Sequence, residues 1–287
     1  MMKLKRFDDI NKFLQTTKPI LLENEVENNL ILGVILHIQS NPDRYKEKYL
    51  SIVSRESEII SIAVCTPPFK LLFWGKAEQC KNEMELLVDD IVHSKLEMSG
   101  VLCLSHHALQ LVKIWQERIG EPFRTGMSER IYKLEKVIFP KTKLGEMRLA
   151  NQQDLELVCM WMQEFHFEAV PDDPMTDFEE FAKKKIENND LVIWQVNVQS
   201  VSLASRARPT INGICINLVY TPMQFRKKGY ATALVAHLSQ KLLNEGWKFI
   251  TLFTDLSNPT SNSIYQKVGF RPICDFQEYY FIKSIVK

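Results

Sequence analysis

The 287-residue chain has no surplus of charge of either sign: 36 lysines and arginines stand against 35 aspartates and glutamates, a formal net charge of +1. No bulk field is available to hold nucleic acid or an anionic membrane, so any anion must be bound by a local site. Cysteines are few. Cys65, Cys80, Cys103, Cys159, Cys215 and Cys274 form no C-x-x-C motif and have no histidine at metal-ligand spacing, so no metal is expected and they read as buried thiols of a reducing compartment. Long apolar runs are missing too, since none approaches the roughly 20 residues of a membrane span. Met1 to Asn11 is charged and lacks the apolar h-region of a signal peptide. The expectation is a soluble, cytoplasmic protein without nucleic-acid or membrane partners. A nucleotide-binding Rossmann reading is disfavoured by the lack of a G-x-G-x-x-G turn at a first strand and of a Walker lysine motif.

What is present is ordinary globular usage, 45% apolar and 25% charged, enough for a sizeable core. At roughly 150 residues per domain the length points to two domains. The lysine-rich stretch from Tyr132 to Gly145, with Pro140, marks the boundary, giving domains of residues 1–140 and 145–287.

In the second domain, Asn151 can cap a helix whose apolar face is Leu157, Val158, Trp161, Met162 and Phe165. The turn Pro171-Asp172-Asp173-Pro174 follows, then a helix opened by a Thr176/Glu179 capping box. Leu191 to Val198 reads as a strand, and Asn212-Gly213 as the hairpin turn joining the segment around Val201–Ser205 to a strand from Ile214 to Tyr220. A helix from Tyr230 to Asn244 is stopped by Gly246. Phe249 to Thr254 is a buried strand, Pro259 to Val268 a helix, and a strand near Glu278–Ile282 closes the half. This order predicts an α/β fold with a mixed sheet and one βαβ crossover.

Two segments carry chemistry. In the first, Val219-Tyr-Thr-Pro-Met-Gln-Phe-Arg226-Lys227-Lys228-Gly229-Tyr230-Ala231, a strand leads into a helix. The helix start offers unpaired N–H groups, Gly229 lets backbone approach a ligand closely, and Arg226, Lys227 and Lys228 add positive charge, which together suit a pyrophosphate. In the second, Leu252-Phe-Thr-Asp255-Leu-Ser-Asn258-Pro-Thr-Ser-Asn262-Ser-Ile-Tyr265-Gln-Lys-Val-Gly269-Phe270, Asn258 caps a helix with Pro259 at its first position. Asn258, Asn262 and Tyr265 share one helix face, and Ile264 and Val268 another.

With these motifs the sequence resembles the GCN5-related N-acetyltransferase superfamily, particularly its bacterial two-part members, from about Glu146 onward. The resemblance implies an acyltransferase fold and acetyl-CoA as co-substrate. Leu218, Val219 and Tyr220 would pair their backbone with the pantetheine amides. Arg226, Lys227, Lys228, Gly229, Tyr230, Ala231 and Thr232 would hold the pyrophosphate, and Asn258 and Asn262 would contact the CoA arm. Tyr265 matches the tyrosine that protonates the departing thiolate, a role open to a phenol with pKa near 10. The implied acceptor is a primary amine on a small molecule, peptide or protein, attacking directly in a ternary complex of a monomer or homodimer. The alternative is a CoA-binding sensor or interaction module without turnover.

The sequence does not single out the base that frees the amine. Asp255 serves either as base or as a cap of the next turn; Glu168 and His166 are weaker candidates, and His237 reads as a packed or surface histidine. Asp172 and Asp173 lie in a loop that borders the acceptor site in similar proteins, and Arg206 and Arg208 flank the hairpin.

The first half carries a faint likeness of the second. Laying Ile114-Trp115-Gln116 against Ile264-Tyr265-Gln266 sets Ala108, Val112 and Trp115 opposite Asn258, Asn262 and Tyr265. Gly75-Lys-Ala-Glu-Gln-Cys80-Lys-Asn-Glu has no glycine at the cradle position and adds carboxylates, so a degenerate acetyltransferase-like domain that does not bind CoA in the same way is expected. His106 and His107, with no carboxylate or cysteine partner nearby in sequence, read as helix-start residues pointing apart and not as ligands.

Overall fold

A computed structural model describes residues 1–141, 144–174 and 177–282. In chain order the elements are β1 (Met2–Arg6), α1 (Ile10–Glu23), α2 (Asn29–Ser40), β2 (Tyr49–Arg55), β3 (Glu58–Cys65), β4 (Leu71–Gly75), α3 (Lys81–Ser94), β5 (Gly100–Leu104), α4 (Ser105–Ile119) and β6 (Phe123–Leu134). There follow β7 (Glu146–Leu149), α5 (Leu155–Ala169), α6 (Phe178–Glu187), β8 (Leu191–Val196), β9 (Gln199–Ala207), β10 (Gly213–Tyr220), α7 (Tyr230–Asn244), β11 (Phe249–Asp255), α8 (Pro259–Val268) and β12 (Arg271–Phe281). The second run repeats the element order of the first, strand, two helices, three strands, helix, strand, helix, strand. The fold is the mixed α/β one expected.

The chain forms two compact units, Met1–Ile131 with Asp255–Ser257 and Cys274–Lys287, and Tyr132–Thr254 with Asn258–Ile273. In the first unit β1 to β4 form an antiparallel meander, and α3 carries the chain across to β5, parallel to β4. Helices cover both sheet faces. Met84, Leu87 and Ile91 of α3 and Leu111 and Trp115 of α4 fill one core. Phe13 and Leu21 of α1 and Leu32 and Ile35 of α2 fill the other.

The strand expected to close the second half lies in the first unit: β12 runs antiparallel to β5, from Phe276↔Leu104 to Tyr280↔Gly100. Its side chains fit there. Lys70 pairs with the buried Glu278 at 2.9 Å, and Phe281 stacks on Trp115 with ring centroids 4.7 Å apart. Gly100 permits the pairing, because a Cβ there would stand 1.9 Å from the Tyr279 carbonyl oxygen. Gly100→Ala should therefore force the strands apart and lower stability by about 2–3 kcal/mol, read as a lower midpoint in denaturant unfolding.

In the second unit β7, β8, β9 and β10 are successively antiparallel, and β11 lies parallel to β10 after the α7 crossover. Ala233, Leu234, Leu238 and Leu242 of α7 pack with Tyr265 and Val268 of α8 on one face. Val158, Trp161 and Met162 of α5 pack with Phe178, Ala182 and Ile186 of α6 on the other. Gly246 follows α7 with φ of 103°, the left-handed conformation of a helix stop.

Two caps set the α5/α6 layer. The Asn151 side chain accepts from the Gln153 N–H, and Asp154 accepts from the Asn151 N–H at 2.8 Å, completing a capping box that leads into α5. Asp177 caps α6, accepting from the Glu180 N–H at 3.0 Å; Thr176, expected in that role, lies outside the described residues. Arg148 grips Asp154 with two nitrogens at 2.7 and 2.8 Å, and that guanidinium holds the Asp154 carboxyl below its ordinary range. The ion pair therefore stabilises the fold above the unfolded carboxyl value and is lost as pH falls through the lower folded one. Asp154→Ala should cost about 1–2 kcal/mol at neutral pH. The gap to the parent should narrow below about pH 4 as the carboxyl titrates, followed as melting temperature against pH.

Candidate functional site

The site is built around β10. Its ladder with β11 runs from Gly213↔Phe249 to Cys215↔Thr251, and the strands continue beyond it, to Tyr220 and Asp255. On the opposite edge the β9 register slips between Asn217 and Tyr220, so that Leu218 and Val219 form a bulge with Leu218 left-handed at φ 50°. A bulge turns backbone N–H and C=O groups out of the ladder, here at Leu218 and Val219, two of the three residues expected to meet the pantetheine amides, while Tyr220 pairs again with Leu203. Among the described residues the Asn217 Oδ1 is buried without a hydrogen-bond partner. A buried acceptor in that state calls for a donor.

From Tyr220 the chain passes over Pro222 and a single turn at Met223–Phe225 to the start of α7. Lys227 and Gly229 both have positive φ, 63° and 81°, and Gly229 is the N-cap. Backbone that turns this way presents successive N–H groups to one side, and those of Tyr230, Ala231 and Thr232 belong to the first helical turn, which lacks intrahelical acceptors. Lys227 and Lys228 are exposed beside this turn.

Arg226 is turned elsewhere. Two guanidinium nitrogens meet the two Glu168 oxygens, each at 2.6 Å, while Nε donates to the Thr221 carbonyl at 2.8 Å. The guanidinium stands 5.7 Å from the Tyr220 ring centre. Tyr220 and Arg226 line one side of a cleft of about 500 Å³, and Trp161, Glu164, Phe167 and Glu168 of α5 line the other. The Tyr220 hydroxyl donates to Glu164 at 2.9 Å, and burial, then this bond, pushes the phenol up to about 12. Met160, Phe167 and Met223, all exposed, form an apolar rim.

Tyr265 is buried in the α7/α8 core, its ring 6.0 Å from Phe270 and 6.5 Å from Tyr132. Burial, with the Cys215 thiol adding to it, raises its phenol well above the ordinary value, so the hydroxyl keeps its proton at neutral pH. Asn258 caps α8 by accepting from the Ser261 N–H at 3.0 Å. Asn262 donates to the Asn258 carbonyl at 2.8 Å and accepts from the Tyr132 hydroxyl at 3.1 Å. Both asparagines thus shape the start of α8 itself.

The remaining candidates have structural partners. Asp255 accepts from the Ser257 N–H and hydroxyl at 2.8 and 2.6 Å, a turn cap. His166 is buried against Phe167 and Phe178, and His237, exposed, has its ring beside those of Phe139 and Trp194. Arg206 joins Asp190 and Glu245, and Arg208 reaches the Cys215 sulfur at 3.2 Å. Asp172 and Asp173 sit in the turn after α5.

Sequence reasoning missed Glu164. Its spacing with Met160, Phe167 and Glu168 puts all four on one helix face, but only the pairing with Tyr220 marks that face as a site. It also missed a contact in the first unit. The His106 and His107 rings lie 4.1 Å apart, and His107 Nε2 is 3.7 Å from Cys80 Sγ, a cysteine partner brought by the α3 crossover. Burial takes the imidazole down to about 4 and the thiol up to about 11, so the pair is neutral.

Among the described residues no helix is long and apolar enough to cross a membrane, and no group of three His, Cys, Asp or Glu is placed to hold a metal ion. Residues 202–282 match the family model described as FR47-like protein. The whole chain superposes on solved structures at low identity. A GCN5-related N-acetyltransferase from Sphaerobacter thermophilus gives a TM-score of 0.65 at 13% identity, covering 99% of this chain and 96% of that one. An acetyltransferase of the same family from Colwellia psychrerythraea gives 0.61 at 10%, covering 98% and 100%. A tandem protein of this kind from the clavulanic acid biosynthesis pathway gives 0.58 at 10%, covering 98% of each. No curated protein matches the chain by sequence. The likeness to the GCN5-related N-acetyltransferase superfamily, read first from motifs, is borne out in the fold.

Proposed function

We propose that this chain, whose fold is that of the GCN5-related N-acetyltransferases, transfers the acetyl group of acetyl-CoA to a primary amine in its second unit. The observation that carries the reading is the continuity of one path: a parting pair of strands, a bulge at Leu218–Val219 beside the unpartnered Asn217 oxygen, then the glycine-capped start of α7. A pantetheine arm is an extended chain of amides, and an exposed strand edge recognises such a chain through its backbone. A diphosphate suits the helix start through N–H groups and the macrodipole.

When bound, acetyl-CoA supplies an activated acyl carbon on a thiol leaving group. The acceptor must arrive as, or become, a neutral amine, since an alkylammonium with a pKa near 10.4 has no lone pair to give. As the C–N bond forms and the C–S bond breaks, Tyr265 gives its hydroxyl proton to the sulfur, and the proton shed by the nitrogen restores the phenol through water. The first unit would not share this chemistry. Its α3 begins at Cys80 without a side-chain cap and carries the buried Glu83 in its first turn, a carboxylate where an anion would lie.

Calorimetry with acetyl-CoA tests the binding half of the reading, and thiol release from acetyl-CoA across a panel of amines tests turnover. Heat of binding without thiol release for any amine would favour a CoA-binding module without turnover; no heat would end the reading.

A further inference from the structure

We infer that the cleft between α5 and the Tyr220–Arg226 turn receives a small monoamine with an apolar body, and that Arg226 covers its ammonium anchor, Glu168, until a diphosphate draws the guanidinium away. This rests on the acetyltransfer reading and deepens it by naming the class of acceptor and how its binding is coupled to that of the diphosphate.

The walls define the chemistry. Glu164 and Glu168 lie one helical turn apart on α5, and Trp161 and Tyr220 supply aromatic surface beside them. Carboxylates next to aromatic faces hold a cation by charge-assisted hydrogen bonds and by the ring quadrupole together. Arg226 already occupies such a position as an internal cation, paired through two nitrogens with Glu168 and set over the Tyr220 ring. Beyond the carboxylates the rim is apolar and exposed, formed by Met160, Phe167 and Met223. An aromatic or aliphatic tail would cover these side chains. Among the described residues that line the cleft none at this rim is acidic, so a second ammonium would meet no anion there, and a carboxylate on the ligand would face Glu164 and Glu168.

Arg226 also stands three residues before the Gly229 N-cap, on the turn that leads into the diphosphate cradle. One guanidinium cannot grip Glu168 and a diphosphate in the same geometry. Anion binding at the cradle thus competes for Arg226 and uncovers Glu168, and an ammonium in the cleft releases Arg226 toward the anion. By linkage each ligand tightens the other by the same factor.

The test is calorimetry of the full chain with 2-phenylethylamine as probe, with and without CoA. CoA should tighten binding of the amine at least fivefold in the parent protein. R226Q should bind the amine at least fivefold more tightly than the parent in the absence of CoA, and CoA should no longer change it. E168Q should bind it at least tenfold more weakly than R226Q. Spermidine and tyrosine should each bind at least tenfold more weakly than 2-phenylethylamine. Both substituted side chains are partly exposed, so the core is left intact and equal melting temperatures verify it. Amine affinity in R226Q equal to the parent's, amine affinity in E168Q equal to that of R226Q, or a preference for spermidine would overturn the proposal. If CoA gives no heat at all, the acetyltransfer reading fails, while the R226Q and E168Q measurements without CoA still decide whether the cleft holds an ammonium.

Discussion

Gly229→Glu should weaken CoA binding at least a hundredfold, a loss of about 2.7 kcal/mol, without unfolding the second unit. Gly229 has φ of 81° and is the N-cap of α7, so any side chain there bears the strain of a left-handed residue, on the order of 1–2 kcal/mol. A carboxylate at a helix N-terminus is favourable to the helix itself, which offsets part of that strain. Its effect on the proposed ligand has the opposite sign, because it neutralises the positive end of the helix and puts a like charge where a diphosphate would sit. Gly229→Ala separates the two effects, having the strain without the charge, and should retain CoA binding within about tenfold. Calorimetry on both variants, with melting temperatures alongside, checks this; equal losses in the two would show that backbone shape, not charge, governs the site.

Tyr265→Phe should lower turnover about a hundredfold, the lower end of what a positioned acid contributes, with acetyl-CoA affinity changed less than twofold. The argument is electrostatic. Burial raises the phenol above its ordinary value, so the hydroxyl is protonated throughout the working range, the state a proton donor requires. Removing only the oxygen leaves the ring in place against Phe270 and Tyr132, so the core should hold. Steady-state rates of thiol release, with CoA affinity measured separately, distinguish a lost proton from lost binding. Unchanged turnover would remove Tyr265 from its proposed role.

Much of this was legible because short-range signals agree with one another. Asn258 with Pro259, the αL glycines after α7 and α8, and the apolar spacing of Leu234, Leu238 and Leu242 fix both helices within the sequence that forms them. Gly229 and Tyr265 lie on those elements and could be picked out with them. What escaped depends on partners distant in sequence. Leu218 is left-handed although nothing in its identity asks for it, since the bulge is set by how β9 pairs with β10. Arg226 reads as an anion ligand by position, and only the fold shows its fork turned to Glu168. Asn262 looks like a free amide on a polar face until Tyr132 is placed beside it. The alternation around Glu278 predicts a strand correctly, but period-2 patterning carries no information about which neighbour the strand will choose.

That choice has a consequence for biogenesis. The strand that lies along β5 is made long after β5 itself, once all of the second unit's elements have emerged. Until then the N-terminal half waits on the ribosome with a bare sheet edge, the kind of template that invites pairing with other chains. Dissecting the polypeptide near residue 140 would make that wait permanent, so an isolated N-terminal fragment should aggregate where the intact chain does not, and adding back a peptide of residues 271–282 should relieve it.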